Sequence, residues 1–352
     1  MWYVPEKYLL ARAGEVTELP ATWSLTNEVL LMNRRHLFAM LGGAIVAGHS
    51  MAAERPHIGF VSGGDSKGAE GFVAALRDGL ASEGYREPDT LTLDLLYADY
   101  SLERVPALVA EIERRGAELI VTHAAATTIV VKAKRKAPVV YEFSADPIAA
   151  GIARDLAHPL FNATGVTLLK AELNGKRLEF LHEIGPEIRR VAVIANPLHA
   201  GEESERIDLS AKAEQLGIRL LFLSTPNRAE LDRALNTIAA DPPQAIIAFS
   251  EGFVVENRQT IINFAMSRRL PVVSGWAVMA KSGALFTYGP RLVESYRRPA
   301  YYVGRILRGA TPSELPIERP TVLELVINLN SAKTLGMTVP QSILVRADEV
   351  IE

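Results

Sequence analysis

The stretch Arg190-Val191-Ala192-Val193-Ile194-Ala195-Asn196-Pro197, in mid-chain, mirrors His57-Ile58-Gly59-Phe60-Val61-Ser62-Gly63-Gly64 near the start. Each has a polar lead-in, a continuous apolar run of strand length and a turn. A strand that is apolar at successive positions is buried on both faces, as in a parallel sheet covered by helices. Working outward from the first run, Phe72, Leu76 and Leu80 recur at helical spacing, residues 91–96 are strand-like, and Val105, Leu108, Val109 and Ile112 mark a second helix face. Residues 119–122 and 139–143 are further buried strands with a helix over 128–136 between them. Beyond the second run, a helix ends at Gly217, a residue suited to a C-terminal cap. Strands over 218–223, 245–249 and 271–274 then alternate with the helix of Leu231, Leu235 and Ile238 and with a helix over 255–268.

This alternation predicts an α/β fold of two doubly wound parallel-sheet lobes. The tail holds a strand at 284–288, a helix through Tyr296, Ala300, Val303 and Leu307, and a strand at 324–329. These pieces are too few for a third domain, so the chain must pass back through the hinge. Lobe 1 is assigned 54–168 plus 285–318, and lobe 2 is assigned 169–284 plus 319–352. Open α/β sheets bind ligands beyond the C-terminal ends of their strands, so two facing lobes build a cleft walled by strand-end loops.

Composition narrows the function. The 352 residues are 48% hydrophobic and 22% charged, as in folded globular chains. A net charge of −3 excludes a generic basic nucleic-acid binder. The absence of cysteine excludes disulfides, Cys-ligated zinc, iron–sulfur clusters, a thiol nucleophile and a lipid-anchored cysteine. The seven histidines form neither an H-x-x-x-H pair nor an H-E-x-x-H helix, so no metal or cofactor is expected. The turn after residue 62 fails both the dinucleotide and the phosphate-loop spacing, leaving backbone N–H groups at a helix start aimed at an anionic group, or a plain tight turn. Gly64-Asp65-Ser66-Lys67-Gly68 fits G-x-S-x-G, with Asp146 and His158 or His182 in triad order. That elbow belongs in mid-sheet after several strands, and here it follows the first. The chain is therefore expected not to be an enzyme, with a secreted serine hydrolase using Ser66 as the alternative.

Several residues fall at strand ends. His123 ends the third strand and faces the expected cleft. Asp146, followed by Pro147, suits an N-cap and also a carboxylate that pairs with a ligand amino group. Phe253, Trp276 and Tyr288 follow strand ends in the second half and suit an apolar wall or core packing.

Asn33-Arg34-Arg35-His36-Leu37-Phe38, the apolar small-residue run 39–48 and Ser50-Met51-Ala52 have the layout of a signal peptide over residues 32–53. The arginine pair fits the twin-arginine route, and the general secretory route stays open. Met32 directly precedes the pattern, so residues 1–31 are expected to be upstream sequence read in error. The mature protein is expected in the periplasm.

The chain resembles the substrate-binding proteins of ABC transporters with a type I periplasmic-binding fold. The likeness rests on Ala145-Asp146-Pro147 with Gly151, on Asn162-Ala163-Thr164-Gly165-Val166 and on Tyr302-Val303-Gly304-Arg305-Ile306-Leu307-Arg308-Gly309-Ala310. It rests above all on the ending, Glu324-Leu325-Val326-Ile327-Asn328-Leu329 through Val339-Pro340-Gln341-Ser342 to Ala347-Asp348-Glu349-Val350. The resemblance implies two lobes joined by three crossings, closing on a small ligand and delivering it to a membrane permease. It also implies a monomer that binds an aromatic or apolar amino acid or a related small acid. Ser62, Gly63, Gly64 and Ser144 to Asp146 are expected on one wall, and Asn196, Glu251, Trp276 and Tyr288 on the other wall or the crossing. Where relatives carry Gly-Gly-Thr-Pro, this chain has His123-Ala124-Ala125-Ala126, which removes one hydroxyl, adds an imidazole and points to a bulkier or more acidic ligand. A sensory module built on the same cleft is a further alternative.

Overall fold

The computed structural model describes residues 55–168 and 171–352. The upstream segment 1–31 and the export signal 32–53 lie outside them. Among the described residues no helix is long and apolar enough to cross a membrane.

The first apolar run forms β1 (His57–Ser62). It is followed by α1 (Ser66–Ser82), β2 (Thr92–Tyr97), α2 (Val105–Arg114), β3 (Leu119–His123), α3 (Thr127–Lys132) and β4 (Val139–Phe143). A short antiparallel hairpin, β5 (Ala153–Asp155) and β6 (His158–Pro159), precedes β7 (Ala163–Thr167). The parallel sheet runs β2-β1-β3-β4-β7. Successive residues of a strand point to opposite faces. Phe60 therefore packs with Phe72 and Leu76 of α1, while Val61 packs with Val109 and Ile112 of α2. Helices on both faces are why the run is apolar at every position.

The second lobe contains α4 (Glu172–Ile184), β8 (Arg190–Ala195), α5 (Glu202–Leu216), β9 (Arg219–Ser224), α6 (Arg228–Ala240) and β10 (Ala245–Ala248). It continues with α7 (Gly252–Glu256), α8 (Arg258–Ser267), β11 (Val272–Ser274), α9 (Ala277–Lys281) and β12 (Phe286–Pro290). Gly217 caps α5 in the left-handed conformation, as its position in the sequence predicts. The helix expected over 255–268 is instead two helices that meet at Asn257.

The strand read at 284–288 is β12, and it is hydrogen-bonded inside the second sheet. The return to the first lobe thus falls after Pro290 rather than at residue 285, because Leu285 and Phe286 belong to the second lobe's core. Beyond that crossing, α10 (Leu292–Leu307) packs on α1 so closely that a Cβ at Gly79 would lie 2.7 Å from that of Ala300. The chain then runs beside β7, where Glu318 N–H donates to the Gly165 carbonyl (3.0 Å) and Thr167 N–H to that of Glu318 (2.9 Å). Arg298 clamps the same Glu318 through two hydrogen bonds of 2.6 and 2.7 Å. A third crossing leads to β13 (Leu323–Asn328), α11 (Leu329–Leu335), α12 (Gln341–Leu344) and β14 (Glu349–Ile351). The second sheet runs β14-β13-β12-β11-β10-β8-β9, parallel except where β13 meets β12. Its core order around β8 repeats the order around β1, so the two openings quoted above are equivalent strands.

Candidate functional site

In both sheets the strand order reverses beside the first strand, between β1 and β3 and between β8 and β10. Ligands of doubly wound sheets bind at such switch points, beyond the strand ends. On the first lobe the loop after β1 is largely occupied by its own neighbours. Ala98 N–H donates to the Ser62 carbonyl (2.9 Å), Tyr100 N–H to Gly63 (2.9 Å) and Asp99 N–H to Gly64 (3.2 Å). Asp65 caps α1 by accepting from Gly68 N–H at 2.7 Å, so a side chain already holds this helix start. Ser66 is exposed on the first turn. Among the described residues no hydrogen bond joins it to a histidine or to Asp146. His158 is paired with Asp155 at 2.8 Å on the hairpin, and His182 lies on α4 of the other lobe.

Ser144 and Asp146 follow β4. The Asp146 carboxylate accepts from Ile148 N–H (2.8 Å) and Ala149 N–H (3.4 Å), closing a turn rather than capping a helix. His123 is not a solvated strand-end residue. Its Nε2 lies 3.1 Å from Glu142 Oε2, and its ring packs at 4.5 Å from Phe72 and 5.6 Å from Tyr296. Burial pushes Glu142 up to about 8 and His123 down to about 4, so at neutral pH the carboxyl keeps its proton and donates to a neutral imidazole. Ala124 opens the short turn Ala124–Ala126 that leads into α3.

On the second lobe, Glu251 is buried and caps α7, accepting from Phe253 N–H (2.9 Å) and Val254 N–H (2.8 Å), with the Asn196 side chain as a further partner. Asn196 also accepts from Leu198 N–H at 3.0 Å. The Tyr288 ring is half-buried and packs edge-on against Phe180 of α4 (5.2 Å), and its carbonyl accepts from Arg177 of the same helix. Phe253 packs in the second lobe's core as well. Trp276, in contrast, leaves its own lobe and packs in the first lobe's apolar cluster with 6% of its surface exposed. Two polar contacts join the lobes beside it: Asp146 N–H donates to the Ala200 carbonyl (2.9 Å), and the His199 imidazole bonds to the Ser144 backbone. The cleft is closed.

Inside it lies a small cavity faced by Ser144 and Leu168 of the first lobe and by Arg177, Glu205, Ser250 and Trp276 of the second. Arg177 is 3% exposed; its Nε donates to the Tyr288 carbonyl (2.8 Å) and its Nη1 to Asn174 Oδ1. Asn174 in turn donates to Glu205 Oε1 (2.8 Å). Burial brings Arg177 down to about 10 and lifts Glu205 to about 7, each opposed by the other's charge. Among the described residues no group of histidines and carboxylates has the makings of a metal site.

Residues 60–351 match the sequence pattern of the ABC transporter substrate binding proteins. The chain belongs to that family. A tyrosine-binding protein of Clostridioides difficile is 20% identical over 277 residues, 77% of each chain. Among solved structures, an ABC domain in complex with L-Trp from Streptococcus pneumoniae superposes with a TM-score of 0.78 at 22% identity, covering 84% of this chain and all of the other. A conserved domain protein from Vibrio cholerae gives 0.77 at 24% identity over the same shares. These likenesses show the type I periplasmic-binding fold with its two lobes.

The sequence reading of this substrate-binding protein missed the polar centre of its cavity. Arg177 and Asn174 project from α4, and Glu205 from α5, whereas attention to strand ends leads only to loops. One signal was available. On α4, Leu173, Arg177, Phe180 and Ile184 follow helical spacing, so Arg177 occupies a position in an apolar stripe. A charge in such a stripe is buried and must be paired.

Proposed function

We propose that this substrate-binding protein is the extracytoplasmic component of an ABC importer, acting as a periplasmic monomer. It captures a free amino acid with an aromatic or apolar side chain, or a related small acid, and presents it to an inner-membrane permease. The reading is carried by one observation. Trp276 of the second lobe is packed into the first lobe's apolar cluster directly beside the cavity. A small ligand held there would join both lobes and favour closure through contacts that the open form lacks. Family membership supports transport, and a tyrosine-binding relative and an L-Trp complex among the structural neighbours support the ligand class. The Arg34-Arg35 segment supports export. The role proposed is capture and presentation of the ligand, and no reaction is assigned to the cavity.

A thermal-shift series on the full chain with L-tyrosine, L-tryptophan, L-leucine and aromatic acids tests the ligand class. A ligand at about 100 times its dissociation constant adds about 2.7 kcal/mol of stability. The tyrosine or tryptophan curve is expected to shift upward. A flat response to every compound would overturn the ligand class.

A further inference from the structure

Two polar atoms converge on one glycine in the cavity. A Cβ placed on Gly275 would lie 2.0 Å from Ser250 Oγ and 2.2 Å from Arg177 Nη2. The absence of a side chain at 275 lets both polar atoms lie directly against its backbone, and Gly289 brings more bare backbone to the same place: a Cβ there would lie 2.1 Å from the Gly275 carbonyl oxygen. Ser250 Oγ is buried and has no hydrogen-bond partner among the described residues. Arg177 spends Nε on the Tyr288 carbonyl and Nη1 on Asn174, and among the described residues Nη2 carries no hydrogen bond. Beside them one Glu205 oxygen accepts from Asn174 (2.8 Å), and the other lies 3.9 Å from His199 Nδ1.

We propose that Arg177 Nη2 and Ser250 Oγ hold the carboxylate, and Glu205 Oε2 the ammonium group, of a free α-amino acid whose head group enters the cavity these three residues line. The assignment rests on the amino-acid reading above and specifies which end of the ligand the second lobe reads. Both donors lie against the same glycine, close enough together for two-point recognition of a carboxylate. Charge balance favours a zwitterion. Arg177 and Glu205 are both buried and are bridged by Asn174, so a ligand that brings one charge of each sign can answer both groups in a low-dielectric site. A zwitterion laid antiparallel to the pair adds no net charge. His199 and Glu251 also face this region. Glu251 is committed to the α7 backbone, and burial brings the His199 imidazole down to about 4, so it stays neutral.

Calorimetry on the full chain separates the possibilities. The probes are L-tyrosine, tyramine, which lacks the carboxylate, and 3-(4-hydroxyphenyl)propionate, which lacks the amine. Tyrosine is expected to bind at least about tenfold more tightly than either. Arg177→Met should weaken tyrosine by about a hundredfold and leave tyramine nearly unchanged, so that the discrimination collapses; a purely structural role would weaken both alike. Ser250→Ala, a small change that leaves the buried pair intact, should weaken tyrosine by about tenfold and serves if Arg177→Met fails to fold. Tyrosine binding that survives Arg177→Met or Ser250→Ala unaltered, or equal binding of tyrosine and tyramine by the wild type, overturns the head-group assignment and leaves the amino-acid reading standing. Failure of the wild type to bind any amino acid overturns both. Binding of L-leucine but not tyrosine, abolished by Arg177→Met, keeps the head group and removes the aromatic side chain.

Discussion

Replacing Gly165 by alanine is expected to destabilise the folded chain by about 3 kcal/mol, seen as a lower denaturation midpoint. A Cβ on this residue would lie 2.0 Å from the Tyr141 carbonyl oxygen and 2.8 Å from the Tyr141 backbone nitrogen. Those atoms belong to β4, which pairs with β7 through the Tyr141–Gly165 register, so no flexible side chain can yield. The strands must separate, and the damage extends beyond the pair. The Gly165 carbonyl also receives Glu318 N–H, the bond that seats the third crossing on the first lobe. A variant that melts like the wild type would show that β7 does not approach β4 this closely.

Trp276→Ala is expected to act on binding rather than on the folding of either lobe. The indole belongs to the second lobe by sequence but packs in a cluster made mainly of first-lobe residues, so most of its packing is present only when the lobes are together. Truncating a buried tryptophan costs about 3 kcal/mol or more. If that term falls on the closed form alone, affinity for the captured amino acid drops by about a hundredfold, because each 1.4 kcal/mol is a factor of about ten. The denaturation midpoint without ligand should move far less than affinity does. An unchanged dissociation constant in a folded variant would mean that closure does not depend on this contact.

The contrast between these residues indicates what a sequence makes legible. β1, β4 and β8 were readable because a strand buried on both faces has an uninterrupted apolar run, and 139–143 matches the observed strand at both ends. Helix α4 was not readable. Its inner face carries Asn174, Gly175 and Arg177 among its buried residues, so the apolar period is broken where the helix meets the cavity. Helix α5 likewise buries Glu202 and Glu205. Of these, Arg177 and Glu205 line the cavity and Asn174 bonds to both, as expected if the proposed binding site overrides the rules that specify a core. Trp276 is legible as an aromatic beyond a strand end, and its crossing to the other lobe depends on the tertiary fold rather than on local sequence. Tyr288 was placed beyond a strand end because β12 runs two residues further than the apolar run predicts, and its ring packs on Phe180 in the core. His123 ends β3 and Asp146 follows β4, and their polar atoms are engaged by Glu142 and by the backbone of 148 and 149. Chemical type located them, and partner geometry defined what they do.

Small-angle X-ray scattering of the full chain, free and saturated with the amino acid that gives the largest thermal shift, tests most directly whether two hinged lobes shut on a ligand. The radius of gyration should fall on saturation in the wild type and fall less in Trp276→Ala. Superimposable curves for the free and calorimetrically saturated wild type would contradict capture by closure.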